Sequence, residues 1–130
     1  MKRVRLIAAL APILIGLFAF HPEVLSEPLS KDEVEDLITD ARIPFTSSRG
    51  NPGRWHYMPD KRIRSTIDSP VGPIVSEGRW WIEPNGLLCR QYDRWAGDSR
   101  TCVFLEPDGE RFLTLDPDGT PRDHTWTIQK

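Results

Sequence analysis

Cysteine and histidine are scarce in this chain of 130 residues, which holds two of the first and three of the second. Cys89 and Cys102 lack the close spacing and the further ligands of a zinc site, so no structural metal is expected. Of the histidines, His21 lies in the N-terminal segment and His56 sits between aromatic neighbours. His124, beside Asp123, could serve as a general base, but no recognisable nucleophile motif stands ready for it. A basic surplus is missing too: 17 Lys and Arg against 19 Asp and Glu leave a formal charge of −2, which argues against a nucleic-acid partner. Gly-rich phosphate loops are absent, since Arg49-Gly50-Asn51-Pro52-Gly53-Arg54 has two glycines but no strand-to-helix setting. The expectation is a protein that is not an enzyme and uses no cofactor.

Long apolar runs are equally rare, with one exception at the start. The basic opening Met-Lys-Arg-Val-Arg leads into residues 6–20, which carry no charged side chain. At about 1.5 Å per residue this run spans roughly 22 Å as a helix, short of the ~30 Å hydrocarbon core of a bilayer. Basic start and short apolar run are the layout of a secretory signal peptide, assigned to residues 1–26 with cleavage after Ser26, or alternatively after Ala19. Residues 27–130 then form a single secreted or periplasmic domain, and a membrane contact arises only if the segment stays uncleaved. In an oxidising compartment Cys89 and Cys102 are expected to form a disulfide, worth roughly 3 kcal/mol for a loop of this size.

One helix is legible. Ser30 is placed to cap it, Glu33 completes a capping box, and Leu29 with Val34 suits a hydrophobic staple. Val34, Leu37, Ile38 and Ala41 recur at helical spacing, which predicts a helix over about 30–42 ended by Pro44. Residues 46–53 read as a loop. Beyond it, short β-type runs at 55–58, 62–67, 79–82, 87–92, 101–105, 112–115 and 125–128 predict an antiparallel meander. The fold class is α+β: one helix packed on a curled antiparallel sheet of six to eight strands, with a small lipocalin-like barrel as its closed form.

Pro-Asp-Gly occurs twice, at 107–109 and 117–119, with Pro59-Asp60-Lys61 and Pro84-Asn85-Gly86 as variants. A calcium loop would use Asp116, Asp118, Thr120 and Asp123, yet Thr127 stands where an EF-hand needs its bidentate Glu. As turns, all four sites make sense: Pro sets φ, Asp or Asn follows, and Gly accepts positive φ. Lys61 is the departure, standing where Gly is expected.

The order Leu29-Ser30-x-Asp32-Glu33-Val34, Gly78-x-Trp80-x-Ile82, Leu88-Cys89-Arg90, Cys102, Pro117-Asp118-Gly119 and Trp126-Thr127-Ile128 resembles a group of small exported proteobacterial proteins known only as a domain of unknown function. The resemblance covers nearly all of the exported part. It implies a secreted helix-plus-sheet domain and no activity or catalytic residue to transfer.

The remaining signal is the density of Arg and aromatic residues, including five Trp. Arg and Trp anchor interfaces, and Arg holds anions through paired hydrogen bonds. With Cys89 facing the core, Arg90, Tyr92 and Arg94 would alternate onto the outer face, joined by Trp95 and Arg100, as a binding site held at its base by the disulfide. The expected function is a non-enzymatic exported binding or envelope-associated module, its partner a protein or a small anionic ligand. The alternatives are an inhibitor of a secreted enzyme such as lysozyme, and a small hydrolase using His124 and Asp123.

Overall fold

A computed structural model describes residues 27–94 and 100–130; the expected signal segment and Trp95 lie outside them. Helix α1 runs over Lys31–Ile38 behind the expected capping box. The Ser30 hydroxyl accepts from the Glu33 N–H at 3.3 Å, and the Glu33 carboxylate accepts from the Ser30 N–H at 2.9 Å. Val34 and Ile38 are fully buried.

The helix is shorter than its apolar spacing predicts. Asp40 takes a left-handed φ of 64°, and the chain turns straight into strand β1, Ala41–Thr46. Pro44 therefore ends no helix; it lies inside this strand. The Arg42 N–H points away from the neighbouring strand, toward Gln129, and the Pro44 nitrogen two residues on points the same way. The missing donor falls on the open edge of β1 and removes no ladder bond.

Seven more strands follow: β2 Pro52–Tyr57, β3 Arg62–Ser69, β4 Gly72–Ile82, β5 Leu88–Tyr92, β6 Thr101–Asp108, β7 Arg111–Leu115 and β8 Pro121–Trp126. Each pairs antiparallel with its neighbour in sequence, so the sheet is a meander in the order β1 to β8. It curls until its edges meet: the Arg42 N–H donates to the Gln129 carbonyl at 2.7 Å, and the Gln129 N–H to the Arg42 carbonyl at 2.9 Å. The result is a nearly closed barrel with α1 across one end.

Four hairpin turns use one hydrogen-bond pattern. The N–H groups of Gly50, Lys61, Gly86 and Gly119 donate to the carbonyls of Ser47, Met58, Glu83 and Asp116, and all four residues have positive φ. In the three Pro-Asx turns the Asx side chain accepts from the N–H two residues on: Asp60 from Arg62 at 3.0 Å, Asn85 from Leu87 at 3.2 Å, Asp118 from Thr120 at 2.9 Å. That bond holds the Asp118 carboxyl below the usual carboxylate range. The first Pro-Asp-Gly differs in form, because Pro107 and Asp108 stay within β6 and only Gly109 and Glu110 make the turn.

Packing concentrates toward the helix end. Ile43, Tyr57, Ile63, Trp80, Leu88, Val103 and Leu105 point inward against Val34 and Ile38, and burying each such side chain contributes about 1.5–3 kcal/mol. Gly86 is needed there twice over: its φ is 93°, and a Cβ would stand 2.5 Å from the Leu29 carbonyl oxygen. Lys130 closes the other side of the helix by donating to the carbonyls of Asp36 at 2.9 Å and Thr39 at 2.7 Å.

Cys89 and Cys102 stand opposite each other on β5 and β6 and are joined as expected. Their face is the outer one. Cys89 pairs with Trp81, whereas the core residues Trp80 and Ile82 pair with Arg90 and Leu88. Cys89 is nonetheless buried.

Candidate functional site

Away from the helix the inward face of the barrel changes character. Its pattern along β3 is Ile63, Ser65, Ile67 and along β4 Ile74, Ser76, Gly78, with Thr101 on β6 and Thr114 on β7. Small side chains at these positions leave space that Leu or Phe would fill. A bulge between Leu113 and Leu115 re-aims the strand beside Thr114, whose hydroxyl donates to the His124 carbonyl at 3.0 Å. The resulting cavity of about 720 Å³ opens at the end opposite α1, within the usual range of roughly 300–1,000 Å³ for small-molecule sites.

An aromatic stack forms one wall. Phe45 and Trp55 lie nearly parallel with ring centres 4.2 Å apart, and Trp126 tilts against Trp55 at 5.4 Å. Phe45 covers Gly53, its cross-strand partner, where a Cβ would strike the ring at 2.6 Å. The Trp55 indole N–H donates to the Tyr92 hydroxyl at 3.0 Å, so both rings are fixed.

Arg90 enters the cavity from β5 and lays its guanidinium over the Trp55 ring, 4.3 Å from its centre. One Nη donates to the Tyr57 hydroxyl at 3.3 Å. Its Nε is buried with no hydrogen-bond partner, and among the described residues no carboxylate forms an ion pair with it. Burial works against the Arg90 charge, but Tyr57 and Tyr92 more than offset this and leave its pKa above the ordinary guanidinium value. Burial pushes the Tyr57 hydroxyl above the usual phenol range, against the pull of Arg90.

The five residues expected to make an outer-face site are thus divided. Strand alternation holds, but its sense is reversed: Cys89 faces outward, and Arg90 and Tyr92 face the cavity. The reason is register, since Arg90 lies opposite the buried Trp80. Arg94 is exposed and lines a separate cleft with Glu77 and Asp93. Arg100 is exposed at the approach to β6, and Trp95 is outside the described residues. Other arginines of the aromatic-rich stretch sit on the outer face: Arg54 pairs with Asp68, Arg62 with Asp93 and Arg64 with Glu77.

His124 lines the cavity while Asp123 does not, and His56 pairs with Asp40 at 2.8 Å on the outside. No group of three potential metal ligands occurs among the described residues. Sequence reasoning missed Phe45, Ser65, Ser76 and Thr114. Their signal was serine recurring on an otherwise apolar strand face, which marks a lined space rather than a packed core. The chain matches no family model, no curated protein and no solved structure.

Proposed function

We propose that this protein is a non-enzymatic, exported binding module that holds a small organic anion in its barrel cavity, with Arg90 receiving the charge. The supporting observation is the state of Arg90. A cation drawn partly out of water without an anionic partner is costly, and here the half-buried Arg90 lies on a cavity of ligand size with no carboxylate paired to it among the described residues. A carboxylate or similar anion supplies charge-assisted hydrogen bonds that the barrel itself does not. The Phe45–Trp55 stack and the neighbouring disulfide hold the group in place beforehand, which lowers the ordering cost of binding. The disulfide is compatible with an oxidising compartment, and together with the N-terminal segment it supports a periplasmic or secreted location.

The probe 1-anilinonaphthalene-8-sulfonate, an organic anion that fluoresces in apolar surroundings, tests this directly. Saturable binding to the native domain is expected, weakened at least ~10-fold by Arg90→Gln, since a hydrogen bond to a charged group contributes about 1.5–3 kcal/mol. Near-UV circular dichroism checks that the variant keeps its tertiary packing. Equal binding by native protein and Arg90→Gln sinks the proposal.

A further inference from the structure

The cavity has an inverted polarity. Among the described residues a cation without a counter-ion, Arg90, lies inside, whereas the β3–β4 side of the mouth is apolar. Among the described residues the exposed large hydrophobics are Val71 at 94%, Ile74 at 49% and Val75 at 55% exposure, all on the β3–β4 hairpin at the open end. Between Asp68 and Glu77 that hairpin carries no charge at all. The two flanking carboxylates are occupied on the outer face, Asp68 by Arg54 at 3.3 Å and Glu77 by Arg64 at 2.7 Å. Ile67 and Ile74, directly paired, line the cavity between the lip and the interior. An apolar side of the mouth therefore leads in from Val71 past Ile67 and Ile74, and the paired Ser65 and Ser76 follow on the way to Arg90.

From these observations we infer that the ligand is a single-chain amphiphilic monocarboxylate, bound with its carboxylate inward on Arg90 and its unbranched tail running out past Ile67 and Ile74 to the Val71 lip. This inference rests on the reading of the cavity as an anion site. Among the described residues one cavity-lining arginine lacks a carboxylate partner, which matches one negative charge. The other cavity-lining arginine, Arg122, already faces Asp116 at 3.6 Å. A wholly polar anion leaves the apolar side of the mouth unused, and a neutral apolar molecule leaves Arg90 without a counter-ion. A tail lying along that side takes apolar surface of both ligand and lip out of water.

The test uses displacement of the fluorescent anion by hexanoate, octanoate, decanoate and decanol, each below its micelle concentration. Affinity is expected to rise about 10-fold for each added pair of methylenes, as burial of a CH₂ predicts, with decanol at least ~10-fold weaker than decanoate. Arg90→Gln brings decanoate down to the level of decanol. Val71→Ser and Ile74→Ser weaken decanoate about 3-fold or more and leave hexanoate unchanged; Val71 is so exposed that its substitution leaves the fold intact. Arg90-dependent binding that is indifferent to chain length and to both lip variants overturns the tail assignment alone. Absence of Arg90-dependent binding by any of the anions overturns the anion site as well.

Discussion

At the scale of single residues, Arg90 and Lys61 illustrate opposite uses of a cation. Arg90 has no carboxylate partner among the described residues, and replacing it together with Tyr57 removes a half-buried charge along with the hydroxyl it bonds. Arg90→Met with Tyr57→Phe is therefore expected to equal or exceed the native stability, by about 1 kcal/mol or more, while losing anion binding. Urea denaturation checks this, and a loss of several kcal/mol would make Arg90 a structural residue. Lys61 instead ties two elements together. It occupies a glycine position with φ 71°, bonds Glu35 at 2.6 Å and lies 4.1 Å over the Trp80 ring. Lys61→Ala keeps the backbone strain and loses the contacts; Lys61→Gly loses the contacts but relieves the strain. The Ala variant should be less stable than the Gly variant by roughly 1 kcal/mol, measured by the same denaturation.

At the scale of elements, the weakest joints have the strongest fastenings. Strands β5 and β6 share three paired residues, Leu88–Val103, Cys89–Cys102 and Arg90–Thr101, and the disulfide is one of them. Reduction should lower the melting temperature by roughly 12–24 °C, taking ~3 kcal/mol for the loop and ~4–8 °C per kcal/mol for a domain of this size. A change of only a degree or two would show that the hairpin holds without it. Helix α1 is fastened by charge. The Lys61 ammonium beside Glu35, with its hydrogen bond, holds that carboxyl below its usual range. Because the folded-state pKa is depressed, this stabilisation is present above the unfolded value of about 4.3 and fades as pH falls through the lowered folded value. Glu35→Gln should therefore be less stable than the native domain at neutral pH, with the gap narrowing on acidification below about pH 4. A gap that is constant with pH would assign the effect to something other than this ion pair.

At the scale of the whole molecule, closure depends on the last residues of the chain. Gln129 bridges to Arg42, Ile128 packs against the core, and Lys130 caps α1. Truncation after Thr127 removes all three contacts and exposes the edges of β1 and β8. Unpaired strand edges recruit other chains, so the truncated domain is expected to self-associate, as sedimentation velocity would show. A truncated domain that stays monomeric and equally stable would mean that the seam needs no latch.

Local chemistry by itself determined much of this protein. The capping box at Ser30 and Glu33, the Pro-Asx turns and the alternation of Trp80 with Trp81 need only neighbours in the chain, so they are legible without the fold. The disulfide was expected from an even pair of cysteines behind a segment that reads as a signal peptide. Tertiary structure decided what depends on distant partners. Pro44 reads as a helix stop because propensity is local; it is tolerated in β1 because the curled sheet turns its nitrogen toward an unbonded edge. The β5 strand shows which residues share a face with Arg90 but not which face is inside. That choice was made across the sheet, by pairing Arg90 with the buried Trp80 and Cys89 with Trp81. Sequence alternation has a period of two and no sign, and only closing the barrel supplies the sign. For that reason the same arginine that reads as part of an outer contact surface becomes a charge lining an interior cavity.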